Sequence, residues 1–334
     1  MNAVEASAPG KAVISGEYAV LGGAPALSMA VNRRARVLIE PAAGRRHSLA
    51  APGYVDGRLG FRAGRGGGIE WLDPLPFDGA FRLFECIWRR AGLEPDGPLS
   101  ITLDTRAFFD APGGQKLGLG SSAALAVAAA AAFARLSRKN DTVRAVAKDA
   151  HKSFQRGKGS GVDVATAFHG GLIRFQRERP TAAVRWPDGL GYRYFWSGKT
   201  VRTTDKLGGF DDTLTDEGGR ALFTASERVV QKMRAGPADE VVDVMRGYVD
   251  ALAAFDQGRT LGIFAAGHEQ LTRYANSRAD MVYKPCGAGG GDIGVALAAA
   301  GDVLDEFARV AHQHDFVELD TRLEPQGVLV EALD

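Results

Sequence analysis

One stretch near the middle of the chain, KLGLGSSAALAVAAAAAF at residues 116–133, constrains the fold more than any other. Its alanine-rich part, residues 123–134, predicts a helix because alanine has the highest helix propensity of any residue. Gly118 and Gly120 then lie in the loop that leads into this helix. The first N–H groups of a helix lack partners within the helix and attract anions. The stretch therefore predicts either a phosphate-binding loop for a nucleotide or an ordinary capped helix buried in the core.

Composition narrows the class of protein. The 334 residues allow one large domain or two of medium size, and a hydrophobic content of 45% is enough for a sizeable core. The formal net charge of +1 gives no basic field, so we expect neither a nucleic-acid partner nor a membrane partner. Cys86 and Cys286 form no metal-binding or disulfide pattern. No signal peptide or membrane-spanning run is recognisable, so we expect a cytoplasmic enzyme.

In the first half of the chain, alternating and regularly spaced apolar residues predict a mixture of strands and helices. Asp78 and Asp141 are the predicted N-caps of two of the helices. Residues 41–68 are interpreted as an exposed hairpin and loop, because they are rich in Gly, Arg and Pro. The predicted strands are 12–14, 34–40, 99–103, 173–175 and 192–196. The predicted helices are 78–90, 123–134, 141–154 and a short one that follows a second glycine-bearing turn within 156–171.

The second half is predicted to be mostly helical, and we expect the chain to divide into domains at residues 1–190 and 191–334. Gly258 is the expected break between two helices. A third glycine run, CGAGGGDIG at 286–294, precedes an apolar segment at 295–297 that begins either a strand or a helix. The predicted helices are 220–234, 237–256, 260–277 and 302–314, with a strand at 315–319 and a short tail after it.

Three motifs occur in an informative order: APGKAVISGEYAVL at 8–21, GLGSSAA at 118–124 and GAGGGD at 287–292. Together they resemble the GHMP superfamily of small-molecule kinases, which includes galactokinase, homoserine kinase, mevalonate kinase and phosphomevalonate kinase. The resemblance covers nearly the whole chain. It implies an α+β fold of two domains, an N-terminal ribosomal-protein-S5-domain-2-like α/β domain and a C-terminal ferredoxin-like α+β domain. It also implies that ATP binds at the central glycine motif and the acceptor binds in the cleft between domains.

Within the superfamily, the sequence looks most like the phosphomevalonate kinases. Tyr18 stands where related kinases more often have histidine, and Lys116 directly precedes the central glycine motif. Mevalonate kinases carry a magnesium-binding glutamate upstream of the aspartate in SGVD, whereas AHKSFQRGKG at 150–159 has no carboxylate between His151 and Gly161. The resemblance implies conversion of 5-phosphomevalonate to 5-diphosphomevalonate with ATP and Mg²⁺, by a monomer or homodimer. The alternatives are mevalonate kinase, another GHMP kinase acting on an alcohol, or a non-catalytic metabolite sensor.

The resemblance also implies site residues, with Lys11 and Asp163 as the catalytic pair. By local pattern alone, Asp163 also fits a helix N-cap, Lys11 a surface lysine, and Glu17 a pairing residue that supports the site. An acceptor phosphate is already ionised near neutral pH and needs cations, whereas an alcohol acceptor needs a base such as Asp163. The predicted nucleotide-binding residues are Lys116, Gly118, Leu119, Gly120, Ser121, Ser122 and Ala123, with Ser122 also a Mg²⁺ ligand. The predicted acceptor-binding residues are Lys11, Glu17, Tyr18, His151, Lys158, Ser160, Gly161, Lys199, Gly289, Gly290 and Asp292.

Overall fold

The three-dimensional structure is a computed structural model, and two of the sequence predictions fall outside the part of the chain it describes. Asp78 and Asp141, the predicted N-caps, are both outside the described residues, although the helices expected after them are present. The described residues are 2–77, 79, 81–110, 114–138, 142–200 and 214–333.

The strands form two sheets. The first contains β1 (Ala3–Ser15), β2 (Ala26–Pro41), β3 (His47–Ala50), β4 (Leu59–Ala63), β5 (Ile69–Trp71), β6 (Leu99–Asp104), β7 (Leu172–Phe175), β8 (Ala182–Val184) and β13 (Leu329–Leu333). The second contains β9 (Gly191–Trp196), β10 (Met281–Pro285), β11 (Ile293–Ala298) and β12 (Val317–Leu319). The first sheet follows the order β13-β1-β2-β6-β3-β4-β5, with β7 paired to β2 and β8 to β7, and the second follows β10-β11-β9-β12. Among the described strands, each pairing is antiparallel except that of β3 with β6.

Helices cover both sheets. The helices are α1 (Arg82–Ala91), α2 (Ser121–Ser137), α3 (Val143–Phe154), α4 (Val162–His169), α5 (Glu217–Ala235), α6 (Ala238–Arg259), α7 (His268–Asn276) and α8 (Gly301–Gln313). Helices α1, α2 and α4 pack on the first sheet, α3 packs on these three helices, and α7 and α8 pack on the second sheet. None of the helices in the described ranges has the length and apolar character needed to cross a bilayer.

Most predicted elements are present, and the alternating pattern of residues 34–40 shows why. Ala35, Val37 and Ile39 are at most 1% exposed, while Arg36 and Glu40 face solvent, as a strand with one buried face requires. The alanine-rich helix is also confirmed as α2, and the apolar segment at 295–297 is a strand within β11.

Three boundary predictions are wrong for identifiable reasons. The segment 41–68 is not wholly exposed, because its hairpin of β3 and β4 places Phe61 in the core. Gly258 does not break a helix, since α6 continues to Arg259 and ends with Thr260 in a left-handed conformation. The first strand is longer than the predicted 12–14, because β1 also includes Pro9 and Gly10, where its register against β2 shifts.

The end of the chain returns to the beginning. The tail after residue 319, which the sequence did not predict to pair, contains β13, and β13 lies against β1 at the edge of the first sheet. The second sheet starts at Gly191 with β9. The division into domains at residues 190 and 191 stays a prediction. One hydrophobic core contains side chains from both predicted domains, including Ile14 and Tyr248.

Candidate active site

The central loop, defined as residues 116–120, is held against β1 by the main chain. The amide of Lys11 donates to the carbonyl oxygen of Leu119 at 2.8 Å. A Cβ atom on Gly10 would lie 2.5 Å from that same oxygen, so only glycine permits this approach. Gly120 occupies the N-cap of α2 with φ 80° and supplies no side-chain cap. The first N–H groups of α2 therefore have no side chain capping them, as an anion-binding helix start requires.

Lys11 connects this loop to the start of a second helix. Its side chain lies along Gly120, where a Cβ atom would be 2.9 Å from Cγ of Lys11. Its Nζ atom lies 3.7 Å from Oδ1 of Asp163 in the first turn of α4. The N-cap of α4 is Gly161, so the interpretation of Asp163 as a helix N-cap is wrong. The pair is partly buried, with side-chain exposures of 12% and 27%, at the positive end of α4.

A third segment, the late loop of residues 286–292, closes against the central loop. A Cβ atom on Gly118 would lie only 2.4 Å from Cβ of Asp292. The amide of Asp292 donates to the carbonyl of Lys199 at 2.6 Å, and Thr200 donates to the carbonyl of Lys116 at 3.0 Å. The turn after β9 therefore joins the two loops, through a main-chain hydrogen bond to the late loop and the Thr200 hydroxyl to the central loop.

Gly289 and Gly290 of the late loop pack against protein, whereas Gly287 lines a cleft. A Cβ atom on Gly289 would lie 2.5 Å from the carbonyl oxygen of Ile263, and the amide of Gly290 donates to that oxygen at 2.7 Å. His268, which is fully buried, contacts the carbonyl of Gly291 through Nε2 at 3.1 Å. Burial lowers the pKa of His268 to about 4, so the imidazole is neutral at pH 7. This histidine supports the loop from the core.

Glu17 joins the early motif to the C-terminal half. Its carboxylate forms an ion pair with Lys284, and both side chains are 1% exposed. Tyr248 donates to Oε2 of Glu17 at 2.6 Å and accepts from the amides of Gly16 and Glu17. The amide of Gly287 donates to Oε1 at 3.3 Å. Glu17 lines the cleft described next, but its oxygens already bind protein groups on β10, α6 and the late loop.

Sequence reasoning missed both partners of Glu17. Burial and the neighbouring carboxylate raise the pKa of Tyr248 well above its usual range, which keeps the phenol protonated as a donor. The lone lysine in the apolar run MVYKPC at 281–286 was a usable signal for Lys284, since a buried lysine needs an anionic partner. Tyr248 carried no comparable signal.

A cleft of about 680 Å³, part of it open to solvent, lies between these segments. Tyr18 stands in its wall with φ 58°, and its hydroxyl donates to the carbonyl of Ala288 at 2.7 Å. Burial, with the charges of Asp256 and Glu17, raises the pKa of Tyr18. Of the predicted catalytic and acceptor-binding residues, those that line the cleft are Lys11, Glu17, Tyr18, His151, Ser160, Gly161 and Asp163. Those absent from its described lining are Lys158, Lys199, Gly289, Gly290 and Asp292.

His151 lies where the cleft meets α2. It is 3% exposed, and its Nε2 atom is 3.1 Å from Oγ of Ser122. Burial lowers the pKa of His151, an effect that Asp163 opposes and Lys11 reinforces. A hydrogen bond between side chains thus links α3, which lines the cleft, to the first turn of α2.

A basic groove opens beside the cleft and shares part of its wall. The shared residues include His151, Gln155 and Ser160. Lys158 lies in this groove. The charged residues that line the groove are Arg144, Lys148, Lys152, Lys158, Arg177, Glu178 and Arg179. Six cations and one carboxylate in one groove contrast with the balanced charge of the whole chain.

The described residues contain no cluster of three or more His, Cys, Asp or Glu side chains arranged to hold a metal ion. Magnesium in phosphate-transferring sites commonly keeps several waters and binds phosphates with only one or two protein oxygens. The hydroxyl of Ser122, in the first turn of α2 and partly accessible, meets that smaller requirement.

Known proteins resemble this chain in sequence and in fold. Residues 80–171 match the family model "GHMP kinases N terminal domain". A phosphomevalonate kinase from Streptomyces sp. (strain CL190) is 29% identical over 96% of this chain and 94% of the relative. A mevalonate kinase from Pyrococcus horikoshii is 25% identical over 99% and 98%. The structure of Streptococcus pneumoniae phosphomevalonate kinase in complex with phosphomevalonate and AMPPNP superposes with a TM-score of 0.77 at 17% identity, covering 97% of this chain and 100% of that one, which shows a common fold.

The fold, the helix that starts at the central loop and the kinase relatives define the class: a phosphotransferase with a mixed α+β structure. Residues 80–171 carry the GHMP kinase N-terminal domain, and the chain is similar to kinases of mevalonate and phosphomevalonate over nearly its whole length. The predicted resemblance and the predicted fold class are confirmed. The relatives include kinases of both mevalonate and phosphomevalonate.

Proposed function

We propose that this protein transfers the γ-phosphoryl group of ATP to 5-phosphomevalonate, forming 5-diphosphomevalonate and ADP in isoprenoid-precursor synthesis. The observation that carries the proposal is the position of Lys11. Its amide holds the central loop at the start of α2, and its ammonium lies beside Asp163 in the cleft. One residue thus lies between a site suited to nucleotide phosphates and a cavity suited to a small acceptor.

The nucleotide would bind at the central loop and the first turn of α2. The N–H groups of residues 118–123 would donate to the phosphates, with the positive end of the α2 dipole behind them. Leu119 would contribute through its backbone only, because its side chain is 1% exposed in the core. Mg²⁺, bound with the nucleotide and to Ser122, would offset the negative charge on the phosphates.

The acceptor would lie in the cleft with its reacting end near Lys11. A phosphate acceptor is already ionised near pH 7, so bringing it to ATP is mainly a matter of charge compensation and alignment. Lys11 would supply that charge, and Asp163 would hold its ammonium in place. The apolar side chains of Val20 and Leu21 would contact the hydrocarbon part of the acceptor, and the basic groove would attract its anionic form.

The second candidate is phosphorylation of an alcohol, with mevalonate as the acceptor. It is favoured by the similarity to the mevalonate kinase of Pyrococcus horikoshii, which extends over 99% of this chain. In that reaction Asp163 would act as the general base towards the acceptor hydroxyl. Against it stands the absence of a carboxylate between His151 and Gly161, where mevalonate kinases carry a magnesium-binding glutamate.

Steady-state kinetics with the two acceptors offered separately distinguish these candidates. Purified protein is given ATP and Mg²⁺ with either 5-phosphomevalonate or mevalonate, and ADP release is followed. We expect turnover with 5-phosphomevalonate and none with mevalonate above the background without acceptor. Turnover of mevalonate alone would contradict the proposal. Nucleotide binding without turnover of either acceptor would favour a metabolite sensor.

A further inference from the structure

The hydrogen bond between His151 and Ser122 joins the two halves of the proposed site. Ser122 belongs to α2, where the nucleotide phosphates would lie, and His151 belongs to α3 and lines the cleft. The histidine is 3% exposed, so its ring is fixed by packing. The distance between the serine Oγ and the histidine Nε2 is 3.1 Å, which is a normal hydrogen bond.

The direction of this hydrogen bond decides what Ser122 can bind. A serine hydroxyl has one proton and two lone pairs, and a neutral imidazole has one donor nitrogen and one acceptor nitrogen. If Nε2 accepts the serine proton, both lone pairs of Oγ remain available to bind a cation. If Nε2 donates instead, a lone pair is used and the serine proton points outwards, which repels a cation.

We propose that His151 is a positioning residue: its Nε2 accepts the Ser122 proton and directs the serine oxygen towards the cation that accompanies the nucleotide. The proposal rests on the nucleotide part of the proposed function. It also gives a physical role to the histidine at the start of a segment that lacks a carboxylate. His151 would influence the cation through the Ser122 hydroxyl, as groups hydrogen-bonded to a metal ligand commonly do.

Nucleotide binding with and without magnesium tests this directly. Isothermal titration calorimetry measures the dissociation constant of AMPPNP in excess Mg²⁺ and in EDTA, without acceptor, for the wild type, Ser122→Ala, His151→Leu and the double variant. We expect each single variant to lose about tenfold of the affinity gained from Mg²⁺, in line with substitutions behind metal ligands. Affinity in EDTA should stay within about twofold, and the double variant should lose no more than either single one.

Two further variants separate positioning from packing. His151→Gln places an amide oxygen near the position of Nε2. It should therefore recover part of the increase in AMPPNP affinity that Mg²⁺ produces. Ser153→Ala is the matched control, because the Ser153 hydroxyl donates to the carbonyl of Asp149 in the same helix, and it should behave as wild type. If His151→Leu does not fold, as judged by near-ultraviolet circular dichroism, the cycle of Ser122→Ala with His151→Gln replaces it.

Three results would overturn the proposal. One is that Mg²⁺ increases the AMPPNP affinity of His151→Leu as much as that of the wild type. Another is that the losses of affinity in the two single variants add up in the double variant. The third is equal loss of affinity in Mg²⁺ and in EDTA, which would mean that His151 only packs. Turnover of mevalonate by the wild type would instead contradict the acceptor assignment and leave this test valid, because no acceptor is present in it.

Discussion

The central and late loops have similar compositions but different surroundings. In the central loop, Gly120 lies at an uncapped helix start, and the side chain in contact with it is Lys11. In the late loop, Gly289 and Gly290 lie against the carbonyl of Ile263. Glycine is needed in both places because the backbone approaches another group closely. What differs is the group approached, which is the side chain of Lys11 in the cleft at Gly120 and a main-chain carbonyl at Gly289 and Gly290.

The largest expected effect lies on the nucleotide side of this comparison. Lys11→Ala and Asp163→Asn should each lower kcat by about 10²–10³-fold. The first removes the positive charge beside the reacting phosphates, and the second removes the carboxylate that holds this charge in place. The melting temperature should change little, since the pair is partly exposed and its atoms are 3.7 Å apart. Arg309→Ala, at an exposed position of α8, is a control that also removes one positive charge. Rates near wild type in both variants would remove Lys11 and Asp163 from the catalytic site.

The next effect concerns the support of the late loop and depends on pH. The folded-state pKa of His268 is about 4, compared with about 6.5 for an unperturbed histidine. Because the unfolded chain binds the proton more readily, His268 stabilises the fold above pH 6.5, and this contribution is lost as the pH falls from 6.5 to 4. The loss at pH 4 should be about 3 kcal/mol of unfolding free energy.

Urea unfolding between pH 7.5 and 4 measures this contribution. His268→Gln should make the unfolding free energy less dependent on pH between 6.5 and 4. His312→Gln, at an exposed position in the last turn of α8, should leave that dependence unchanged. An unchanged slope in His268→Gln would contradict the assigned role of His268 beneath the late loop.

The smallest effects come from a methyl group added to each loop. Gly120→Ala should weaken nucleotide binding by about tenfold, because the new Cβ would displace the stem of Lys11 at a left-handed residue. Gly289→Ala should instead lower the unfolding free energy by about 2 kcal/mol and change nucleotide affinity less than twofold. Gly66 also has a positive φ, but nothing lies within 4 Å of a Cβ atom added to it. Gly66→Ala therefore measures the loss of unfolding free energy that comes from the strained backbone alone. The reverse pattern, with nucleotide binding lost in Gly289→Ala, would mean that the late loop contacts the nucleotide.

Local sequence pattern was sufficient to predict most strands and helices and to find the central motif. The alternation of Ala35, Val37 and Ile39 predicted the buried face of β2, and the alanine run predicted α2, because both signals lie within a few consecutive residues. The position of Lys11 beside Asp163 followed from resemblance, since 152 residues separate them and no local pattern joins them.

Contacts between distant segments were beyond the reach of sequence reasoning. Glu17 was predicted to bind the acceptor, but its charge is compensated by Lys284, which is 267 residues away and comes close only when β10 pairs in the second sheet. The hydrogen bond of Ser122 with His151 depends likewise on the packing of α3 on α2. The return of β13 to β1 was not predicted because its residues, LVEAL, do not alternate between apolar and polar side chains.

Phosphoryl transfer to 5-phosphomevalonate is tested most directly by ³¹P NMR of wild-type protein incubated with ATP, Mg²⁺ and this acceptor. We expect the monophosphate resonance of the acceptor to disappear as a pair of coupled diphosphate resonances appears, together with those of ADP. If the monophosphate resonance persists while mevalonate, supplied in a parallel sample, acquires a phosphate, the protein does not use 5-phosphomevalonate as its acceptor.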